Sequence, residues 1–208
     1  MDRRTDRRVA ARIAAGCLSM WMAAPAAAQH LDVDALIANI DERSGQYRQL
    51  TEILQGADAA RALAAFDVML ETGDKTMRET AIAAATSATD ERLRARALWE
   101  TLLLKDSFTI EIVTEDLDDD LRTALDTWIG PVSTWGITAR FPETQCLNLY
   151  RTNVCEESYH LSVSGLKVDM RYSGTLQGSF ALNPEGILAG EVMNWNSKTV
   201  YPATIQLR

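Results

Sequence analysis

Histidine is almost missing from this chain, with two in 208 residues. A serine or cysteine nucleophile needs a neighbouring base, and histidine is the usual one. His30 lies near the start, and His160 stands one step off the apolar phase of a strand-like segment, within reach of Ser162 or Ser164. No Gly-x-Ser-x-Gly sequence accompanies either, so no catalytic residue is assigned. Proline is scarce as well: five in all and none between 31 and 105, which leaves that stretch free to form helix. No uncharged run reaches the roughly 20 residues needed to span a bilayer, so no integral membrane segment is expected. Positive charge is in deficit, at 21 basic against 29 acidic residues and a net −8. Nucleic-acid binding needs a basic footprint to displace counterions from phosphates, and that partner is excluded. Phosphate loops, dinucleotide fingerprints and zinc spacings are missing too, so no cofactor and no metal is expected.

The first 28 residues read as an export signal. Five arginines precede an uncharged stretch, Ile13 to Ala24, and Pro25-Ala26-Ala27-Ala28 supplies a helix breaker and a small-residue cleavage site. Cleavage between Ala28 and Gln29 would leave a periplasmic or secreted protein. The weaker alternative, lipidation at Cys17 after Ala14-Ala15-Gly16, leaves too short an apolar region before the cysteine. The leader carries five Arg and two Asp, so removing its +3 takes the net charge from −8 to −11. Cationic partners are then favoured and polyanions repelled.

Of three cysteines, Cys17 lies in the leader and Cys146 and Cys155 remain. An even pair in an oxidising compartment reads as a disulfide closing a small loop across adjacent strands. A redox pair usually has two residues between its cysteines, and a metal site needs more ligands than His160 alone can add.

The chain then divides at about residue 105. Residues 29–105 are rich in Ala, Leu, Arg and Glu, which are helix formers. A 16-residue self-similarity places Asp58, Asp74 and Asp90 at three helix N-caps, followed by Ala65, Ala81 and Ala97, and by Phe66, Ile82 and Leu98. Gly73 ends one helix just before Asp74. The run from Gly73 to Ile82, echoed from Thr89 to Leu98, resembles short HEAT-type helical repeats over about residues 58–104. The resemblance implies antiparallel helices stacked as a scaffold for protein contact, without catalysis. An ordinary bundle of similar amphipathic helices fits the same residues.

Residues 106–208 change period from 3.6 to 2. Phe108, Ile110 and Ile112 alternate in a strand over 107–113, and one helix is expected near 118–129, ended by Gly130-Pro131. Six or seven antiparallel strands follow, with a bulge or tight turn at Ser164-Gly165 and a hairpin loop at Asn183-Pro184-Glu185-Gly186. Trp128, Trp135 and Trp195 are expected to anchor their core. The fold class is therefore α+β: antiparallel helical hairpins, then a small β-sandwich or partly open barrel.

Two clusters invite a functional reading. Asp116, Asp118 and Asp120 have the spacing of a calcium loop, but Leu121 and Thr127 stand where glycine and glutamate are needed. Acidic residues in a first helical turn explain the cluster without a metal. Trp195, among Asn194, Asn196 and Ser197, suits either a sugar-stacking platform or a strand end entering a turn. The leading reading is an exported, non-enzymatic interaction or scaffold protein with a protein partner, and it expects an exposed apolar patch on the helical half. The alternative is a module whose β half binds a lipid or carbohydrate, and a third is a hydrolase using two convergent acids.

Overall fold

The computed structural model describes residues 32–152 and 154–207. The leader, its cleavage site, Cys17 and His30 lie outside the described residues. Four helices come first: α1 (Val33–Leu54), α2 (Ala59–Thr72), α3 (Lys75–Thr86) and α4 (Glu91–Leu103). The 16-residue periodicity appears as three equivalent caps. Asp58 accepts the Arg61 N–H at 3.0 Å, Asp74 that of Met77 at 2.8 Å and Asp90 that of Leu93 at 2.9 Å. Each carboxylate thus meets the third helical N–H and the positive end of its helix. Gly73 does end α2, but its backbone is extended (φ −71°) and not left-handed. Its need for glycine is steric: a Cβ would collide with the Met69 carbonyl and crowd the Met77 side chain.

Helices α1 and α2 form one hairpin and α3 and α4 another, with α1 against α3 and α2 against both α3 and α4. Their shared core holds Leu54, Phe66, Met69, Ala81, Ala85 and Leu93. The alanines let the axes approach closely.

The second half is one antiparallel sheet. Strand β1 (Ser107–Ile112) is followed by helix α5 (Asp119–Trp128). Then come β2 (Val132–Gly136), β3 (Ala139–Phe141), β4 (Cys146–Asn148), β5 (Tyr159–Ser164), β6 (Lys167–Tyr172), β7 (Leu176–Leu182), β8 (Ile187–Asn194) and β9 (Val200–Gln206). The order is β2-β1-β9-β8-β7-β6-β5-β4-β3. The two edge strands, β2 and β3, are consecutive in the chain with two residues between them, so the sheet must curl until its edges lie within about 10 Å. Ile137 donates its N–H to Asp106 beside β1, and Thr138 donates to Asn148 on β4. These bonds draw the half-barrel together at one point of its seam, and no second sheet packs on it as in a sandwich.

Nine strands stand where six or seven were expected. Leu147 and Leu149 mark β4 in the sequence, but the alternation of Trp135, Ile137 and Ala139 reads as one strand, which the chain breaks at Ile137 and Thr138 into β2 and β3. The turn at Ser164–Lys167 is a tight hairpin turn with Gly165 at φ +61°. Inward residues such as Leu161, Met170, Phe180, Leu188, Val192 and Ile205 form one cluster that fills the interior. Helix α5 packs over one end, adding Leu125 to that cluster and stacking Trp128 on Tyr201 at 5.8 Å. Of the three tryptophans expected to anchor the core, Trp128 and Trp135 pack against it. Trp195 does not: it is 47% exposed at the β8–β9 turn.

The halves share α4. Its Leu93 and Ala97 belong to the helical core, while Leu98, Trp99 and Leu102 belong to the barrel core. Arg94 bonds the Thr86 carbonyl on α3 and the Leu182 and Asn183 carbonyls at the β7–β8 turn. Arg140 on β3 donates to the Leu103 and Lys105 carbonyls, satisfying acceptors that the end of α4 leaves open. Such a joint makes one unit out of the two halves.

Candidate functional site

Helix α1 has 22 residues, against 14 in α2 and 12 in α3. At 1.5 Å per residue it overhangs α2 by about 12 Å. The apolar stripe of α1 continues onto that overhang, where it stands exposed among the described residues. Val33, Leu36, Ile37 and Ile40 are 59, 48, 50 and 55% exposed. Their i, i+3, i+4, i+7 spacing places them on one face. Further along the same face Leu50 and Leu54 enter the helical core. A shallow cleft of about 600 Å³ continues the stripe past Ser44, Tyr47 and Thr51. Asp34 and Asp41 flank the stripe and Asp32 caps its end, while Arg43, Arg48 and Glu52 line the cleft beyond it.

Other clefts lie outside the barrel. One of about 670 Å³ separates α3 and α4 from the β7–β8 turn, with Ile82, Leu104, Pro184 and Leu207 on its walls. Another, of about 230 Å³, lies between Trp195 and the residues before β5, with Arg171 and Gln177 in it. The seam beside β2 is packed with aromatic rings: Trp135 meets Tyr172 at 4.6 Å, Tyr172 meets Tyr159 at 5.1 Å and Tyr159 stacks on Tyr150 at 4.7 Å. With the interior filled and the seam plugged, a lipid or sugar held inside the barrel has no room.

Cys146 and Cys155 are at bonding distance, with Cα atoms 6.1 Å apart. Cys146 is buried on β4, but Cys155 lies in the loop before β5 and not on a strand. The disulfide therefore ties that loop to the barrel. A second tie escaped the sequence reading. Asn148 is fully buried, the one buried polar residue among those described. Its amide donates to the Thr152 and Val154 carbonyls, and its oxygen accepts the Tyr150 N–H. The alternation of Leu147 and Leu149 marks Asn148 as outward-facing; it is buried because the loop folds back over it.

His160 bonds the Glu156 carbonyl through Nδ1 at 2.8 Å, and not Ser162 or Ser164. A carbonyl can only accept, so Nδ1 carries the proton. Asp118 caps α5 by accepting the Leu121 N–H, with Asp119 and Asp120 in the first turn. The acidic cluster thus serves the helix terminus. Among the described residues no three His, Cys, Asp or Glu side chains converge to hold a metal, and no helix is long and apolar enough to cross a membrane.

No family model, curated protein or solved structure matches the chain. A bonded cysteine pair and the lack of a spanning helix among the described residues are compatible with export. Burial pushes the Tyr201 phenol above its usual range, and its OH faces the Leu121 carbonyl at 3.5 Å, a packed structural position against α5.

Proposed function

We propose that this chain is an exported, non-enzymatic interaction protein that docks a protein partner on the overhanging face of α1. The bare stripe Val33, Leu36, Ile37 and Ile40 carries this reading. Contiguous exposed apolar residues rimmed by polar ones mark interaction surfaces, and an i, i+3, i+4, i+7 face is the pattern of helix-in-groove recognition. Asp34 and Asp41 beside the stripe, with Asp32 at its capped end, favour a partner whose apolar ridge carries Lys or Arg against that end. The stacked hairpins behind α1, which resemble HEAT-type repeats, and the barrel that shares α4 give the overhang a rigid base. The basic leader and the Cys146–Cys155 bond support an oxidising, extracytoplasmic setting.

The test uses the full chain expressed in its own host. Mass analysis should find the exported protein beginning at Gln29. Affinity capture should return one recurrent protein whose retention falls as salt rises. Ile37→Asp with Ile40→Asp should abolish capture and leave the unfolding midpoint within a few degrees, since both side chains are half in water. Capture that survives this double substitution would sink the reading.

A further inference from the structure

The Trp195 cleft is separate from the α1 face and has a different chemistry. Strand register sets Arg171 and Gln177, which line the cleft, side by side within a longer row. His160 on β5 pairs with Arg171 on β6, Arg171 with Gln177 on β7, and Gln177 with Met193 on β8. All four lie off the inward phase, so they form one row on the outer face, about 14 Å across four strands. Two walls rise from that row. On one side are Glu157 and Ser158, and on the other is Trp195.

Trp195 is exposed but held firmly. Its backbone N–H donates to the Thr175 carbonyl, which ties the β8–β9 turn to the β6–β7 turn. Asn194 Oδ1 accepts the N–H groups of Asn196 and Ser197, and the Lys198 N–H closes back on the Asn194 carbonyl. The Lys198 ammonium lies 3.5 Å from the indole centroid and occupies one ring face. What remains of the ring borders a cleft of about 230 Å³, below the size of a drug-like pocket and suited to a single small ring.

We infer that this cleft binds one neutral saccharide ring. The C–H face of a pyranose is apolar and complements an indole face. Its neighbouring hydroxyls each donate and accept. Arg171 supplies paired donors, Glu157 paired acceptors and Gln177 one of each, so all three can engage vicinal hydroxyls two at a time. Charge selects neutrality. The lining carries one acid, Glu157, and one base, Arg171, and so favours neither an anionic nor a cationic ligand, while Lys198 is held over the indole face. A lipid tail would need a longer apolar channel than a cleft of about 230 Å³ with Arg171 and Gln177 in its floor provides.

The probe is the exported chain on an oligosaccharide array, followed by titration calorimetry with methyl glycosides of neutral hexoses and N-acetylhexosamines. Binding of a monosaccharide glycoside identifies a terminal or free sugar, and binding of oligosaccharides alone identifies an internal unit; both support the inference. Trp195→Ala should weaken binding about tenfold. Arg171→Ala and Gln177→Ala should each weaken it in the same direction, with unchanged melting temperatures, and Trp195→Phe should retain part of it. The α1 double substitution Ile37→Asp with Ile40→Asp should leave sugar binding intact, which separates this site from the protein-docking face. Retention of no saccharide, retention of anionic saccharides alone, or binding unaffected by Trp195→Ala would overturn the inference.

Discussion

Asn148 holds the β4–β5 loop from inside, as the disulfide does from its rim. Replacing it by Ala strands the Thr152 and Val154 carbonyls and the Tyr150 N–H. Leaving buried groups unpaired costs about 1–3 kcal/mol, so Asn148→Ala should lower the denaturation free energy by about 2 kcal/mol. A change under 0.5 kcal/mol would show that the loop does not depend on it. Tyr201 gives a prediction in pH. Its phenol ordinarily titrates near 10 and burial raises it in the fold, so the unfolded chain ionises first as pH climbs. Stability is intact below pH 10 and declines above it, as the unfolded state binds fewer protons than the folded one. Tyr201→Phe should flatten the alkaline decline while changing stability at pH 7 little, because the bond it removes is long, at 3.5 Å. An unchanged alkaline profile in that variant would contradict the assignment. Neither residue announces its role in the sequence. Asn148 stands at the polar place of an apolar alternation and Tyr201 continues one, and each depends on a segment that folds over it from elsewhere.

At the level of elements, local chemistry decided most of the outcome. The three aspartates spaced by 16 cap three helices through the same N–H position, because a carboxylate at that place satisfies a free donor whatever the surrounding fold. Asp74→Ala and Asp90→Ala should each cost about 1 kcal/mol in denaturant titration, and equal midpoints for variant and parent would refute the capping role. The strands from β5 to β9 were legible for a similar reason: each alternates over six or more residues and each hairpin turn has its own Gly or Asn. Strand β3 was not, since Ala139 reads as the end of the strand through Trp135 and Ile137, and neither was the closure of the seam. Three residues carry no period, and the meeting of β2 with β3 around a curled sheet is set by twist and register summed over every other strand. The Trp195 cleft was half legible. The tryptophan was visible among its amides, but Arg171, Gln177 and Glu157 come from three other segments and converge on it through register alone.

For the whole molecule, α4 is the decisive element. Leu98 and Trp99 face the barrel while Leu93 and Ala97 face the helices, so neither core is complete without it. Leu98→Ala should cost about 2–5 kcal/mol and shift helical and tryptophan signals together in one transition. Two separated transitions would mean that the halves fold independently. That rigid base matters because the proposed docking face is a cantilever whose last 12 Å or so stand exposed among the described residues. The most direct test is a photo-cross-linking residue placed at position 40 of the exported chain in its own host, read by the mass of the adducts. One discrete protein adduct, lost when Ile37→Asp is added and not formed from position 123 on α5, is the predicted result. No adduct from position 40, or the same adducts from both positions, would contradict the account.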